Sequence, residues 1–330
     1  MPDAILNGTI TDVPGVKAGH CSDFENGTGT TVLIFEKGAV GGVDVRGLAS
    51  GSRELLALDP LHVTALCHAV CLSGGSAFGL AAADGVMQYL SERNIGYFAR
   101  VAVVPIVPAA IIFDLSFKNA KVRPDRSFGC RACEAAGDGP LAMGSVGAGT
   151  GATVGKLFGI EHAVKAGVGS ASARTDDGIT VGALAVVNNL GDVLDHKTGR
   201  ILAGTRDPKT GSFVDTARTL ARLAMPTDAM ASPVAENTNL IVAATDAKLD
   251  KAGANKFARM ASAGMARVLS PAHSTFDGDI VFAFSTGQRP SDVNRVGAIA
   301  AELVMQAINR AVLLADGLGT VPALKDLNSR

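Results

Sequence analysis

Asn237-Thr238-Asn239-Leu240-Ile241-Val242-Ala243-Ala244-Thr245-Asp246 is the stretch from which the rest of this 330-residue chain is read. Ahead of it, Ala224 to Glu236 carries Pro226 and Pro233 and no steady apolar period, the pattern of an exposed linker. From Leu240 the chain turns continuously apolar, the pattern of a strand buried on both faces. An exposed segment therefore meets a buried strand at a threonine. Its hydroxyl becomes a nucleophile once a base takes its proton. If the Asn237-Thr238 bond were cut, that base would be the α-amine of Thr238 itself, whose reference pKa of about 7.7–8.0 suits proton transfer near neutrality. A threonine that merely opens a strand is common, so chemistry at Thr238 requires companions elsewhere in the chain.

Composition narrows the classes. Thirty Lys and Arg against 31 Asp and Glu give a net charge of −1, and no basic cluster offers a nucleic-acid backbone its counter-charge, so no nucleic-acid partner is expected. With 47% hydrophobic and 18% charged residues the polar perimeter is thin, and a homo-oligomer that covers part of the surface is expected. Cys21, Cys67, Cys71, Cys130 and Cys133 are an odd set, and Met1-Pro2-Asp3-Ala4 has no signal-peptide pattern. The cysteines read as reduced thiols of a cytoplasmic protein. Cys130-Arg131-Ala132-Cys133 has redox or metal spacing but lacks a second pair, so neither metal nor cofactor is expected. No run of about 18 apolar residues escapes a Gly, Pro or charge, so no membrane span is expected.

Gly29 to Phe35 and Ala39 to Val45 read as a hairpin about Glu36-Lys37-Gly38. Ser50 to Ala57 reads as a short helix, and His62 to Leu72 as a strand. Ser73-Gly74-Gly75-Ser76-Ala77-Phe78-Gly79 then opens a helix from Leu80 to Arg93. That turn nearly matches the G-x-S-x-G nucleophile elbow but has Phe78 at the second glycine. Its N–H groups are expected to be open to a substrate carboxylate or oxyanion. Pro105 and Pro108 make Val101 to Leu115 an edge or a bend. Phe128 to Ala136 and Ser212 to Leu223 read as helices, and Ala166 to Ala173, Ile179 to Asn188 and Val193 to Asp195 as strands. Leu249 to Leu269 and Val293 to Leu314 are the two long amphipathic helices.

Gly147-Ala148-Gly149-Thr150-Gly151-Ala152-Thr153-Val154-Gly155-Lys156 fails as a Walker loop, because Leu157 stands where Ser or Thr must follow the lysine, and fails the dinucleotide fingerprint by spacing. What remains is a close-lying backbone that delivers one lysine, Lys156, a candidate electrostatic stabiliser or a solvated surface residue. Asn188 ends an apolar run and either caps a turn or aims its amide into a pocket. Asp277 and Asp279, two apart before the apolar run Ile280 to Phe284, face one side of an extended chain and need cations or N–H donors. The other ligands of a calcium loop are missing.

In this order, the glycine run to Lys156, Val186-Val187-Asn188, Asn237-Thr238, Ala244-Thr245-Asp246 and His273-x-x-x-Asp277-Gly278-Asp279 resemble the D-aminopeptidase (DmpA)/nylon-oligomer hydrolase family over about Thr9 to Gly317. The resemblance implies an α+β fold, a four-layer αββα sandwich like that of D-aminopeptidase and ornithine acetyltransferase. It implies one domain over residues 1–330, self-cleaved between Asn237 and Thr238 into an α chain (1–237) and a β chain (238–330), and an oligomer, commonly a tetramer of αβ protomers. It places the nucleophile at Thr238 and the nylon-oligomer branch's other functional positions at Lys156, Asn188, Asp277 and Asp279. Phe113 stands where compared members carry Tyr, which bears on substrate preference.

The activity so implied is hydrolysis of linear amides, short peptides or 6-aminohexanoate oligomers, with Asn188 donating to the oxyanion and Lys156 keeping the amine neutral. Asp277 and Asp279 would orient Thr238 and Lys156 or hold a substrate ammonium. An acyltransferase using the same threonine and a non-catalytic small-ligand binder are the rivals.

Overall fold

The computed structural model describes residues 8–223 and 237–328; the proline-bearing segment 224–236 lies outside the described residues. Nine strands matter for the site: β1 (Lys17–Asp23), β2 (Thr28–Val45), β3 (Ser52–Arg53), β4 (Cys67–Ser73), β5 (Ala109–Ile111), β6 (Val168–Arg174), β7 (Thr180–Val186), β8 (Leu240–Ala247) and β9 (Ile280–Arg289). They run in the order β6-β7-β8-β9-β2-β4-β5-β3, with β1 also on β2. Four helices cover them: α1 (Ala82–Ser91), α2 (Arg126–Glu134), α3 (Lys251–Val268) and α4 (Val293–Leu313).

Side-chain alternation turns this path into layers. On β8, Leu240, Val242 and Ala244 join Leu184 and Val186 of β7, Phe282 and Phe284 of β9, and Leu33, Val70 and Leu72 of β2 and β4 in one buried cluster between two sheets. The alternate residues, Ile241 and Ala243 of β8 with Val281 and Ala283 of β9, pack with Phe257, Met265, Val304 and Ile308 of α3 and α4. On the far sheet, Val32, Ile34, Ala69 and Cys71 pack with Val86 and Leu90 of α1 and Phe128 and Ala132 of α2. The result is the expected helix, sheet, sheet, helix sandwich. Both faces of each central strand are dry, so these strands read as unbroken apolar runs. Each large side chain such as Phe282, fully buried, contributes about 1.5–3 kcal/mol from the area it withdraws from water.

β2 overturns the hairpin expectation. Residues 28–34 pair with β1 and β4, whereas residues 40–45 pair with β9 in the other sheet. Each half found a different partner, so the chain never reverses. Glu36-Lys37-Gly38 is a bulge across which the register with β4 shifts between Ile34 and Ala39, eased by the positive φ of Gly38. One strand thereby ties the two layers together. At Gly42 an added Cβ would lie 2.3 Å from the α3 backbone at Ala254 and Asn255, so that helix rests directly on β2.

Two smaller corrections follow from local bonding. Ser50 to Ala57 is not a helix but β3 followed by a 3-10 turn, Leu55–Leu58, because Ser52 and Arg53 pair with β5. The helix placed at Leu80 begins as a 3-10 turn at Ser76 and becomes α-helical at Ala82. Asp250 and Asp292 cap α3 and α4 by accepting from Gly253 N–H and from Asn294 and Arg295 N–H. By length and apolarity α4 alone among the described helices matches a membrane span, but its apolar side is spent on the core beside α3.

Candidate active site

The parallel pairing of β8 with β9 (Leu240 to Ile280) continues upstream as a bridge between Asn237 and Asp277. This brings the Asn-Thr junction and the acid pair side by side. Asn237 and Thr238 are each only 2% exposed. Thr238 Oγ1 donates to the Asn237 carbonyl oxygen at 2.6 Å, and Gly278 N–H donates to the same oxygen at 2.8 Å. The threonine hydroxyl thus lies against the peptide group it would have to attack.

Asn188, just past β7, connects the other elements. Its main-chain oxygen accepts from Thr238 N–H at 2.9 Å and lies 3.5 Å from Lys156 Nζ. Its side-chain Oδ1 accepts from Lys156 Nζ at 2.8 Å and from Thr153 N–H at 3.2 Å, while Nδ2 donates to the Phe113 carbonyl at 3.1 Å. Of the two readings left open for Asn188, the side chain links the glycine run, Phe113 and the lysine. Lys156 is half-buried and held within the site, which removes the solvated-surface alternative. What Asn188 takes from Phe113 is the main-chain oxygen, which tyrosine would supply equally.

Asp277 and Asp279 are fully buried, and their company separates them. Asp279 Oδ1 accepts from Asn239 N–H and Asn239 Nδ2, both at 2.9 Å, and Oδ2 lies 3.0 Å from His273 Nδ1. It braces Asn239, the residue after Thr238, rather than Thr238 or Lys156 directly. Asp277 Oδ2 accepts from Ser274 N–H at 3.0 Å and from the Ser274 hydroxyl, whereas Oδ1 has no hydrogen-bond partner among the described residues. Burial, and then the neighbouring Asp279 charge, push the Asp277 carboxyl up to about 6, against the Ser274 hydrogen bonds and the Lys156 charge. All five expected positions therefore converge. Asn239 and Ser274 had no role in the sequence reading, and His273 and Gly278 had only a place in a motif. Three consecutive polar residues opening a buried strand were the available signal, since buried polar groups demand partners.

The glycine-rich turns hold a second network. Three of the N–H groups expected to be open at the Ser73 turn are consumed: Gly74 donates to Gly29 O at 2.9 Å, Ser76 to Ile112 O at 3.0 Å, and Gly75 to Asp114 Oδ1 at 2.6 Å. The anion accommodated there is the protein's own Asp114, which also accepts from the Thr28 hydroxyl at 2.8 Å. Burial pushes Asp114 up to about 6. Lys165, fully buried, donates to the carbonyls of Gly149 at 3.0 Å, Ala152 at 2.9 Å and Ala166 at 2.5 Å, and burial pulls its ammonium down to about 7. Two of the three bonds, to Gly149 and Ala152, serve the run that delivers Lys156. Lys165→Met takes the ammonium from the Ala166 carbonyl, while Gly149 O keeps Ala152 N–H and Ala152 O keeps Ala166 N–H, so a loss of about 1–3 kcal/mol is expected in urea unfolding. A midpoint equal to wild type would remove Lys165 from this role. The C-x-x-C thiols are free, and among the described residues no cluster suits a metal.

The model of peptidase family S58 matches residues 8–323. An uncharacterized aminopeptidase of Mycobacterium tuberculosis is 40% identical, covering 97% of each chain. A 6-aminohexanoate-oligomer endohydrolase of Kocuria sp. is 31% identical over 91% of this chain and 84% of its own. Among solved structures, the L-aminopeptidase D-Ala-esterase/amidase of Ochrobactrum anthropi, described as a variant of the Ntn hydrolase fold, superposes with a TM-score of 0.72 at 20% identity, covering 100% of this chain and 95% of that one. The αββα layering thus has a solved counterpart, and with the family match spanning nearly the whole sequence, this chain belongs to peptidase family S58.

Proposed function

We propose that the protein is a self-processing amide hydrolase whose nucleophile is Thr238. In the precursor the Thr238 oxygen attacks the Asn237 carbonyl carbon. The C–N bond breaks, the hydroxyl proton ends on the Thr238 nitrogen, and water hydrolyses the resulting ester to leave a free amino-terminal threonine. The mature amine takes the hydroxyl proton as the oxygen attacks a substrate amide, and returns it to the leaving amine. Lys156 opposes protonation of that amine and stabilises developing negative charge, Asn188 supplies amide hydrogens near the reacting carbonyl, and Asp279 fixes the strand through Asn239. The observation carrying this reading is the 2.6 Å contact between Thr238 Oγ1 and the Asn237 carbonyl oxygen, inside the Lys156, Asn188 and Asp277 cluster. Binding without catalysis has no need of it.

The substrate class proposed is linear amides of amino acids, 6-aminohexanoate oligomers included, in line with the names of the Kocuria and mycobacterial relatives. Assembly as a homo-oligomer, a tetramer of αβ protomers, is part of the proposal; the exposed Leu48, Leu56, Leu61, Val63 and Phe98 support it. Five free thiols suit a reducing compartment, and the proposal places the enzyme in the cytoplasm. A panel of aminoacyl p-nitroanilides beside linear 6-aminohexanoate oligomers tests the activity. Amine release in water, unchanged by added acceptor amines, is expected. No release from any member, or product only when an acceptor is supplied, would sink it.

A further inference from the structure

The Asn237 carbonyl carbon must pass through a tetrahedral state whose oxygen carries negative charge, and a donor already aimed at that oxygen lowers the barrier. In the uncut chain Asn188 Nδ2 donates to Phe113 O, and its main-chain oxygen faces Thr238 N–H. Beside the attacking hydroxyl itself, Gly278 N–H donates to the scissile oxygen at 2.8 Å. We propose that the Gly278 main-chain N–H is the oxyanion donor of self-cleavage, a role resting on the Thr238 reading above and assigned to a residue between the two acids.

Three observations support it. The donor is rigid. On one side its segment pairs with the extension of β8, through Gly278 N–H to Asn237 O and Ile280 N–H to Asn239 O. On the other it is tied to the end of β2, where Ala49 N–H donates to Asp277 O and Gly47 N–H to Asp279 O. A donor fixed by two strands needs no reorganisation when charge develops. The position also has to be glycine: an added Cβ would lie 2.6 Å from Thr238 Oγ1 and 2.7 Å from Ala49 O, displacing the nucleophile. Finally, when Oγ1 attacks, its hydrogen bond to the Asn237 oxygen is given up, while Gly278 N–H stays on that oxygen. In this step the Oγ1–C bond forms, the C–N electrons return to nitrogen, and nitrogen gains the hydroxyl proton.

A ladder hydrogen bond with no chemical role is the alternative, and the neighbouring rung provides the control. Cell-free synthesis of the full chain with glycolate in place of Gly278 replaces the N–H by an ester oxygen without altering shape. The hydroxy-acid analogue of isoleucine at Ile280 removes the equivalent bond to Asn239 O, 3.1 Å long. Self-cleavage is followed as conversion of the intact band, with circular dichroism to check folding. The expected result is cleavage slowed about 10²- to 10³-fold at position 278 and changed less than about 5-fold at 280. Cleavage of the 278 ester at the wild-type rate, or equal slowing in both esters, overturns the proposal. Thr238→Ala run in parallel separates the two readings: if it too is cut, the nucleophile assignment has failed. If it stays intact while the 278 ester is cut normally, only the role of Gly278 has.

Discussion

Thr238→Ala is expected to run as one uncut polypeptide on a denaturing gel and to lose amide hydrolysis by on the order of 10⁴- to 10⁶-fold. Wild type is expected as two bands of about 24 and about 9.5 kDa, the residue shares of a cut after Asn237. The substitution is mild for the fold. It removes one hydrogen bond, and the Asn237 carbonyl keeps Gly278 N–H, so the stability cost is about 1 kcal/mol. An intact, folded and inactive Thr238→Ala therefore reports chemistry rather than collapse. Thr238→Ser keeps the hydroxyl and the α-amine and should still yield both fragments. Two fragments from Thr238→Ala, or hydrolysis near the wild-type rate, would place the nucleophile elsewhere.

How much of this was legible in the sequence depends on whether the information was local. Leu240 to Ala244 announced a strand dry on both faces, and its alternate residues do face the two cores. Thr238, Lys156, Asn188, Asp277 and Asp279 were individually weak signals that gained force from their order along the chain. Geometry then brings them together through one parallel rung, Asn237 beside Asp277. Partner choice was not legible. Glu36-Lys37-Gly38 has turn chemistry, but no local pattern says that Val40 will pair with Ser285 of β9 while Leu33 pairs with Val70 of β4. The Ser73 turn was misread for a similar reason: its glycines do serve an anion, but that anion, Asp114, lies about 40 residues away in sequence and occupies the Gly75 N–H. Gly278 carries no signal of its own between the two acids, because its significance lies in its N–H and in an absent Cβ, which composition cannot express.

Lys156→Met is the second large effect, and it carries two signatures. Methionine preserves length and packing, and Asn188 Oδ1 retains Thr153 N–H, so that acceptor is not orphaned and folding should survive. What is lost is a positive charge. Lys156 Nζ and Thr238 N approach the same Asn188 carbonyl, at 3.5 Å and 2.9 Å, near enough for one cation to disfavour another. On the proposed mechanism the Thr238 amine of the processed enzyme works only when neutral, so activity should rise with pH through the pKa of that amine. A neighbouring ammonium lowers this pKa; its removal must raise it, moving the acid limb of kcat/KM to higher pH. The Asp277 carboxyl, which Lys156 holds down against burial, shifts upward as well and moves in the same direction. Lost charge stabilisation in the transition state should lower kcat/KM at the optimum by about 10²- to 10³-fold. Lys156→Arg keeps the charge but not the point geometry of an ammonium, so it should lose rate while leaving the limb near its wild-type position. Measured on the processed fraction of each variant, a limb that stays put in Lys156→Met would mean that Lys156 does not govern the amine, and its part in catalysis would reduce to holding Asn188.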